Sequence, residues 1–217
     1  MNEEAKRRRG EEAGARRVVL ASLNRAKARE IAEIMAGEGL PFEIVSLAEF
    51  PGAALPPETG ATFLVNARLK AHAAARATGL RALADDSGLE VDALGGEPGV
   101  TSARYGGEGA SDEDRYRKVL ALLADVPDDR RTARFRCAAV YAGPDGTELS
   151  AEGVIEGRIL HEPRGAGGFG YDPIFLPEGS TLTTAEITAE EKHAISHRGR
   201  AFRALAALLR ERSRLSS

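Results

Sequence analysis

The sequence predicts an α/β fold, on the strength of three observations. The chain has 217 residues, of which 42% are hydrophobic, so it can bury one substantial core. Its first half alternates short strand-like runs with helix-like segments. Residues 131–159 alternate apolar and polar side chains on both sides of a Gly-Pro-Asp-Gly turn, which is typical of a long antiparallel hairpin. We interpret that hairpin as a second sheet region.

The first unit is a strand, a polar turn and a helix. Residues 17–21 have the β-branched content of a buried strand. Apolar residues then recur on one helical face over residues 31–35, and the helix is expected to end near Gly37 to Gly39. Ser22 or Asn24 can cap this helix, and its free N–H groups with a nearby lysine can bind an anion. A plain helix cap explains the same spacing.

A second strand is predicted over residues 42–46, followed by a proline-rich loop that ends at Glu58. A loop of this kind, ending in an acid, suits a lid or a ligand arm. The alanine-rich segment 62–78 predicts a helix with Asn66 and Lys70 on one face. These two side chains can hold a phosphate or orient a carboxylate, and a solvent-facing pair is the alternative.

Two adjacent acids follow the next apolar run. Residues 80–84 predict a strand that ends in a turn at Asp85 and Asp86. Because ligands gather where strands of open α/β sheets end, the paired acids indicate a metal or phosphate site. An Asx turn, in which one aspartate caps its own backbone, is the structural alternative.

The C-terminal half adds three features. Ser111 and Asp114 have the spacing of a capping box that opens a helix. Residues 163–173 form a glycine-rich loop whose two aromatic side chains can stack on a planar group. A polar helix-prone segment, 184–196, precedes a His-Arg pair that usually lies on the surface, and residues 201–209 predict a last amphipathic helix.

Composition argues against several classes of protein. The net charge of −3 does not suit a protein that coats nucleic acid. The single cysteine, Cys137, excludes an internal disulfide and fits a reducing cytoplasm. No apolar run reaches the roughly 18 residues that a membrane span requires, so no membrane partner is expected. Residues 1–16 are interpreted as a mixed-charge, disordered tail.

Five ordered segments resemble the inosine triphosphate pyrophosphatase family: SLNRAK, ETGATFLVNARLKA, ADDSGLEVDALGGEPGVTSARYGG, GGFGYDPIF and EKHAISHRGRA. The likeness covers about residues 18–209. It implies hydrolysis of dITP, ITP and XTP to the monophosphate and pyrophosphate, a Mg²⁺ requirement and a homodimer. It also implies one elongated domain over residues 17–212, with a central mixed sheet, two lobes and a deep cleft between them.

The resemblance also implies roles for individual residues. Glu58 and Asp86 match metal-associated acids, and Asp86 matches the proton acceptor. The implied substrate contacts are Ser22, Leu23, Asn24, Arg25, Ala26, Lys27, Asn66, Lys70, Ser87, Phe169, Gly170, Tyr171, Asp172, Lys192, His197 and Arg198. The first six form the phosphate turn, and the last seven hold the nucleotide and its base. Leu23 and Ala26 replace glycines of the family pattern, which predicts a differently shaped phosphate turn.

Two other functions fit parts of the pattern. A Maf-like nucleotide pyrophosphatase also places a nucleotide in an α/β cleft, but it lacks the full GFGYDP and SHR segments found here. A non-catalytic nucleotide-binding protein would retain the cleft without turnover. The presence of Glu58, Asp86 and Lys27 favours an enzyme over a non-catalytic binding protein.

Overall fold

The computed structural model describes residues 16–215, which form six strands and five α-helices. The strands are β1 Arg16–Leu20, β2 Phe42–Ser46, β3 Arg81–Val91, β4 Thr132–Ala142, β5 Glu148–Ile159 and β6 Phe175–Pro177. The helices are α1 Arg25–Gly37, α2 Phe63–Thr78, α3 Asp112–Leu122, α4 Ala189–Ile195 and α5 His197–Leu215. The predicted tail lies outside the described residues, except for Arg16, which begins β1.

All six strands belong to one mixed sheet with the order β2-β1-β3-β4-β5-β6. β1 runs parallel to β2 and β3, because α1 and α2 carry the chain back across the sheet before each new strand. The remaining neighbours are antiparallel. The α/β class is therefore confirmed, but the hairpin is not a second sheet region, because β4 pairs directly with β3 over ten residues.

The acidic pair does not lie in a turn. β3 continues through both aspartates to Val91, and its pairing with β4 includes Asp85 opposite Ala139 and Asp86 opposite Ala138. The prediction of a strand ending at residue 84, and the alternative of an Asx turn, are both wrong. The reason is tertiary, since the partner strand β4 satisfies the backbone groups that a turn would otherwise have to satisfy locally.

Apolar layers cover both faces of the sheet. α1 and α5 pack on one face, around Leu83 and Cys137, and α2 packs on the other, around Ala82 and Ala84. A third cluster lies between the far ends of β3, β4 and β5, α3 and β6. Since successive residues of a strand face opposite sides, Asp85 faces α1 and α5 while Asp86 faces α2.

The last helix begins four residues earlier than predicted. α5 starts at His197 and continues to Leu215, so the His-Arg pair forms its buried first turn and not a surface pair. Its approach to β5 is close: a Cβ at Gly153 would lie 2.2 Å from the His197 carbonyl oxygen. Gly153 thus lets this turn reach the middle of the sheet. Over residues 16–215, no helix is long and apolar enough to cross a membrane.

Candidate active site

Glu58 and Asp86 meet at one amino group. Lys70, on α2, donates hydrogen bonds of 2.6 Å to Glu58 Oε1 and 3.1 Å to Asp86 Oδ1. Glu58 comes from the proline-rich loop and Asp86 from β3, so two distant segments converge on one cation. The amino group already occupies a position where two carboxylates concentrate negative charge.

Asn66 holds the same two segments together. Its Nδ2 donates to Asp86 Oδ2 at 3.1 Å, and its Oδ1 accepts the Gly60 N–H at 2.7 Å. Asn66 is fully buried, and it lies one helical turn before Lys70 as the spacing predicts. It therefore orients a carboxylate, which was one of the two roles that the sequence left open.

The two acids on Lys70 differ in their pKa. Burial raises the pKa of Asp86 above its ordinary value, and the nearby negative charge of Glu58 adds to this effect against the attraction of Lys70. Burial also opposes ionisation of Glu58, but the hydrogen bond and charge of Lys70 outweigh it and lower the Glu58 pKa. The environment therefore favours proton binding at Asp86 and ionisation at Glu58.

Asp85 faces the opposite side of β3 and a different set of cations. Its Oδ2 lies 3.7 Å from Lys27 Nζ and 3.3 Å from Arg198 Nε. Ser87 Oγ also donates to it, at 3.0 Å. Burial opposes ionisation, but Lys27 and Arg198 outweigh it and hold the pKa of Asp85 well below its usual range.

Arg198 is fully buried, and its guanidinium group donates hydrogen bonds to several side chains. Besides Asp85, it donates to Ser87 Oγ at 2.8 Å and to Glu30 Oε2 at 2.6 Å. Sequence reasoning missed Glu30. The available signal was its position on α1 one turn before Ile34, because a carboxylate on an apolar helix face requires a buried partner.

A cavity of about 140 Å³ opens beside this network. Phe169 and Tyr171 lie on one wall with Lys192, whose Nζ is 4.6 Å from the Phe169 ring centroid. His197 stacks on Phe135 with ring centroids 4.8 Å apart. Burial, together with the charges of Arg198 and Lys192, lowers the pKa of His197 well below its usual value. The cavity thus combines the aromatic rings of Phe169 and Tyr171 with the neutral imidazole of His197 and the side-chain nitrogen of Lys192.

Asp172 organises the glycine-rich loop from inside. Its carboxylate accepts the Phe169 N–H at 2.8 Å, Lys192 Nζ at 2.6 Å and Thr184 Oγ1 at 2.8 Å. Burial raises its pKa in spite of Lys192. With its oxygens occupied in this way, Asp172 fixes the loop and the lysine relative to each other.

The predicted phosphate turn lies at the start of α1. Asn24 is the N-cap, and its Oδ1 accepts the Lys27 N–H at 3.1 Å. Asn24 and Lys27 line the cavity, whereas Leu23 is 72% exposed. Ser22, Arg25 and Ala26 do not line the cavity either, so only two of the six turn residues face it.

The structure therefore brings most of the predicted site residues together. Those that line the cavity are Asn24, Lys27, Ser87, Phe169, Gly170, Tyr171, Asp172, Lys192, His197 and Arg198. Glu58, Asn66, Lys70 and Asp86 do not line the cavity. They form a cluster on the other face of β3, close enough for the charge of Lys27 to act on both acids. Sequence reasoning also missed Ser102, Asp112, Arg115 and Phe135, which line the cavity.

The acid cluster suits a hard divalent cation that takes part of its coordination from a ligand. Within residues 16–215, no group of three or more His, Cys, Asp and Glu side chains is arranged to hold a metal ion. The cluster around Lys70 Nζ contains two carboxylates, those of Glu58 and Asp86. Mg²⁺ is commonly bound by one or two carboxylates together with water and phosphate oxygens, so this pair fits it.

Comparison with known proteins identifies the relatives of this chain. The model of the Ham1 family matches residues 18–208. A protein of Streptomyces coelicolor named dITP/XTP pyrophosphatase is 53% identical over 195 residues, covering 90% of this chain and 98% of its own. A protein of the same name from Escherichia coli O157:H7 is 52% identical, with 89% and 98% covered.

Solved structures agree with this relationship. A HAM1 protein from Coxiella burnetii superposes with a TM-score of 0.82 at 44% identity, covering 90% of this chain and 99% of its own. A nucleoside-triphosphatase, dITP/XTP pyrophosphatase, from Mycobacterium abscessus gives 0.72 at 47% identity, with 88% and 97% covered. The match of sequence and fold over nearly the whole described region leaves one conclusion: the chain belongs to the Ham1 family.

Proposed function

We propose that this chain is a Mg²⁺-dependent pyrophosphohydrolase that cleaves dITP, ITP and XTP between the α and β phosphates. Its products are the nucleoside monophosphate and pyrophosphate. This hydrolysis would remove deaminated purines from the pool of nucleoside triphosphates. The observation that carries the proposal is the convergence of Glu58 and Asp86 on Lys70 beside an aromatic cavity. The relatives named dITP/XTP pyrophosphatase support the choice of substrate.

The acids take different parts in this mechanism. Asp86 orients the attacking water and accepts its proton, a role that its raised pKa favours. Glu58 and Asp86 would hold the metal, and Lys70 orients both carboxylates. When bound, Mg²⁺ supplies neutralisation of phosphate charge and a lower pKa for the attacking water.

The cations near the start of α1 act on the phosphates. Lys27 and the free N–H groups of the first helical turn stabilise the negative charge of the departing pyrophosphate. Lys27 is the charged residue of the turn that lines the cavity, and its ion pair with Asp85 holds its amino group in place. Leu23, which is exposed, contributes no charge or donor from its side chain.

The aromatic end of the cavity selects the base. Phe169 stacks on it, and donors such as Lys192 favour the O6 acceptor of hypoxanthine and xanthine over the 6-amino donor of adenine. A homodimer and a cytoplasmic location complete the proposal, and family membership is their support.

One assay separates this function from its alternatives. Purified protein is incubated with ITP, XTP, dITP, GTP, dTTP and ATP in Mg²⁺, and pyrophosphate and orthophosphate are measured separately. We expect pyrophosphate from the first three nucleotides, loss of turnover in EDTA and recovery when Mg²⁺ is restored. Preferential turnover of dTTP would support a Maf-like enzyme instead, and tight binding of ITP without product would support a non-catalytic protein.

A further inference from the structure

The glycine-rich loop needs external support to hold Phe169 in place. Gly165, Gly168 and Gly170 all have positive φ angles, of 83°, 70° and 65°. Glycine loses more conformational freedom on ordering than any other residue, so a loop of this composition is costly to fix. The ring of Phe169 nevertheless lies at defined distances from two cations, 4.6 Å from Lys192 Nζ and 5.6 Å from Arg198 Cζ.

Two of the supports come from beneath the loop. Asp172 binds the Phe169 N–H and Lys192, as described above. The Tyr171 hydroxyl donates to the Ser102 carbonyl oxygen at 2.9 Å. Neither contact reaches Gly170, which follows Phe169 directly and lines the cavity.

A third support crosses from α3. The Gly170 N–H donates to Asp112 Oδ2 at 2.7 Å, between residues 58 positions apart. The other oxygen of Asp112 accepts a hydrogen bond from Arg115 Nη1. Arg115 is held in turn by the Ala110 carbonyl oxygen, 2.7 Å from its Nη2. Asp112 and Arg115 both line the cavity that contains Phe169.

Helix capping does not account for Asp112. Ser111 and Asp114 form the capping box of α3 and satisfy each other's backbone and side-chain groups. The Asp112 carboxylate takes no part in this capping box. One of its oxygens accepts the Gly170 N–H, and the other accepts a hydrogen bond from Arg115. A charge-assisted hydrogen bond of this kind is stronger than a neutral one.

We propose that Asp112 is a positioning residue that fixes the base-stacking loop from the first turn of α3, with Arg115 fixing Asp112. The contact holds Phe169 over the place where the base binds, and it does not touch the acids that act on the phosphates. Its loss should therefore weaken nucleotide binding and leave the chemical step intact. The kinetic part of this inference rests on the proposed function.

The kinetic test compares three variants. For Asp112→Ala we expect KM for ITP to rise about tenfold, the value of one charge-assisted hydrogen bond, with kcat near that of the wild type. Asp112→Asn keeps an oxygen that can accept the Gly170 N–H, but it lacks the negative charge that pairs with Arg115. Its KM should therefore lie between those of the wild type and Asp112→Ala. Asp114→Ala is the matched control, because it removes the helix cap without touching the loop: its Tm should fall while KM stays unchanged.

A second test does not depend on activity. The chain contains no tryptophan, so Phe169→Trp creates a single fluorescent reporter in the loop. Acrylamide should quench this reporter more strongly when Asp112→Ala is added, and no more strongly when Asp114→Ala is added. This measurement still decides the Asp112 contact if the wild type hydrolyses none of the nucleotides, a result that would refute only the proposed function.

The inference is overturned by either of two results. One is a KM of Asp112→Ala equal to that of the wild type in a folded protein with unchanged quenching. The other is an equal rise in KM for Asp112→Ala and Asp114→Ala, which would assign the effect to the stability of α3. Thermal unfolding of each variant establishes that it is folded before either comparison is made.

Discussion

The two faces of β3 carry one aspartate each, and the two acids have opposite character. Asp85 faces α1 and α5, where Lys27 and Arg198 compensate its charge and lower its pKa. Asp86 faces α2, where it shares Lys70 with Glu58 and its pKa is raised. Neighbours in sequence thus have different chemistry because a strand alternates its side chains between two environments.

The comparison separates a structural acid from a reactive one. A carboxylate with two cationic partners and a lowered pKa is a poor base and a good anchor. A carboxylate whose charge is only partly compensated keeps its affinity for a proton. We therefore expect substitutions on the two faces to fail in different ways, one in turnover and the other in folding.

The largest effect is expected on the α2 face. Asp86→Asn removes the proposed proton acceptor and one proposed metal ligand, so kcat for ITP should fall about 10³-fold or more, while KM changes far less. Because burial raises the pKa of Asp86, folding disfavours its ionised form, so this variant should lose less stability than Asp85→Asn. Steady-state kinetics with thermal unfolding measures both, and a kcat near the wild-type value would refute the role of Asp86.

The next effect is on the α1 and α5 face, and it concerns stability. Asp85→Asn leaves the fully buried Arg198 and the partly exposed Lys27 without their shared partner, so the free energy of unfolding should fall by about 3 kcal/mol. Because the pKa of Asp85 is lower in the folded state, its contribution is fully present above about pH 4 and is lost as the pH falls further.

The difference in stability between wild type and Asp85→Asn should therefore shrink on acidification. Urea unfolding at a series of pH values measures it. Asp86→Asn is the matched control, since a raised pKa gives the opposite dependence: the contribution of Asp86 is present at low pH and is lost as the pH rises. Identical pH dependence in the two variants would remove the distinction between the faces.

The smallest effect tests the packing beneath Asp85. The Cys137 Sγ lies 3.9 Å from Asp85 Oδ2, in a fully buried position where burial raises the pKa of the thiol. Cys137→Ala should cost on the order of 1 kcal/mol of stability and leave kcat unchanged. Denaturant unfolding measures the stability and the ITP assay measures kcat. A large loss of kcat would show that Cys137 is needed to keep Asp85 and Lys27 in their active arrangement.

Local elements of this protein follow from local sequence. β2 has the predicted bounds, Asn24 is one of the two predicted caps of α1, and Ser111 with Asp114 forms the predicted capping box. Each depends on groups within a few residues of each other, so spacing and residue type are sufficient to find them. The resemblance to a family supplied the remaining site residues, which spacing by itself left ambiguous.

The course of β3 illustrates what local sequence could not supply. Asp85, Asp86, Ser87 and Gly88 have the composition of a turn, and only the pairing with β4 keeps them extended. In the same way, the His197–Arg198 pair has the composition of a surface site, and only the close approach at Gly153 buries it. Strand pairing and burial depend on partners far along the chain, which override local preference.

By itself, the sequence determined the presence of the helices, the caps of α1 and α3, most strands and the residue types able to bind a nucleotide, because these depend on short-range hydrogen bonding and periodicity. Tertiary structure alone decided which charges meet. Glu30 and Arg198 are 168 positions apart and Asp112 and Gly170 are 58 apart, yet each pair forms a direct hydrogen bond. The pKa of each acid follows from such meetings, since burial and neighbouring charge exist only once the chain has folded.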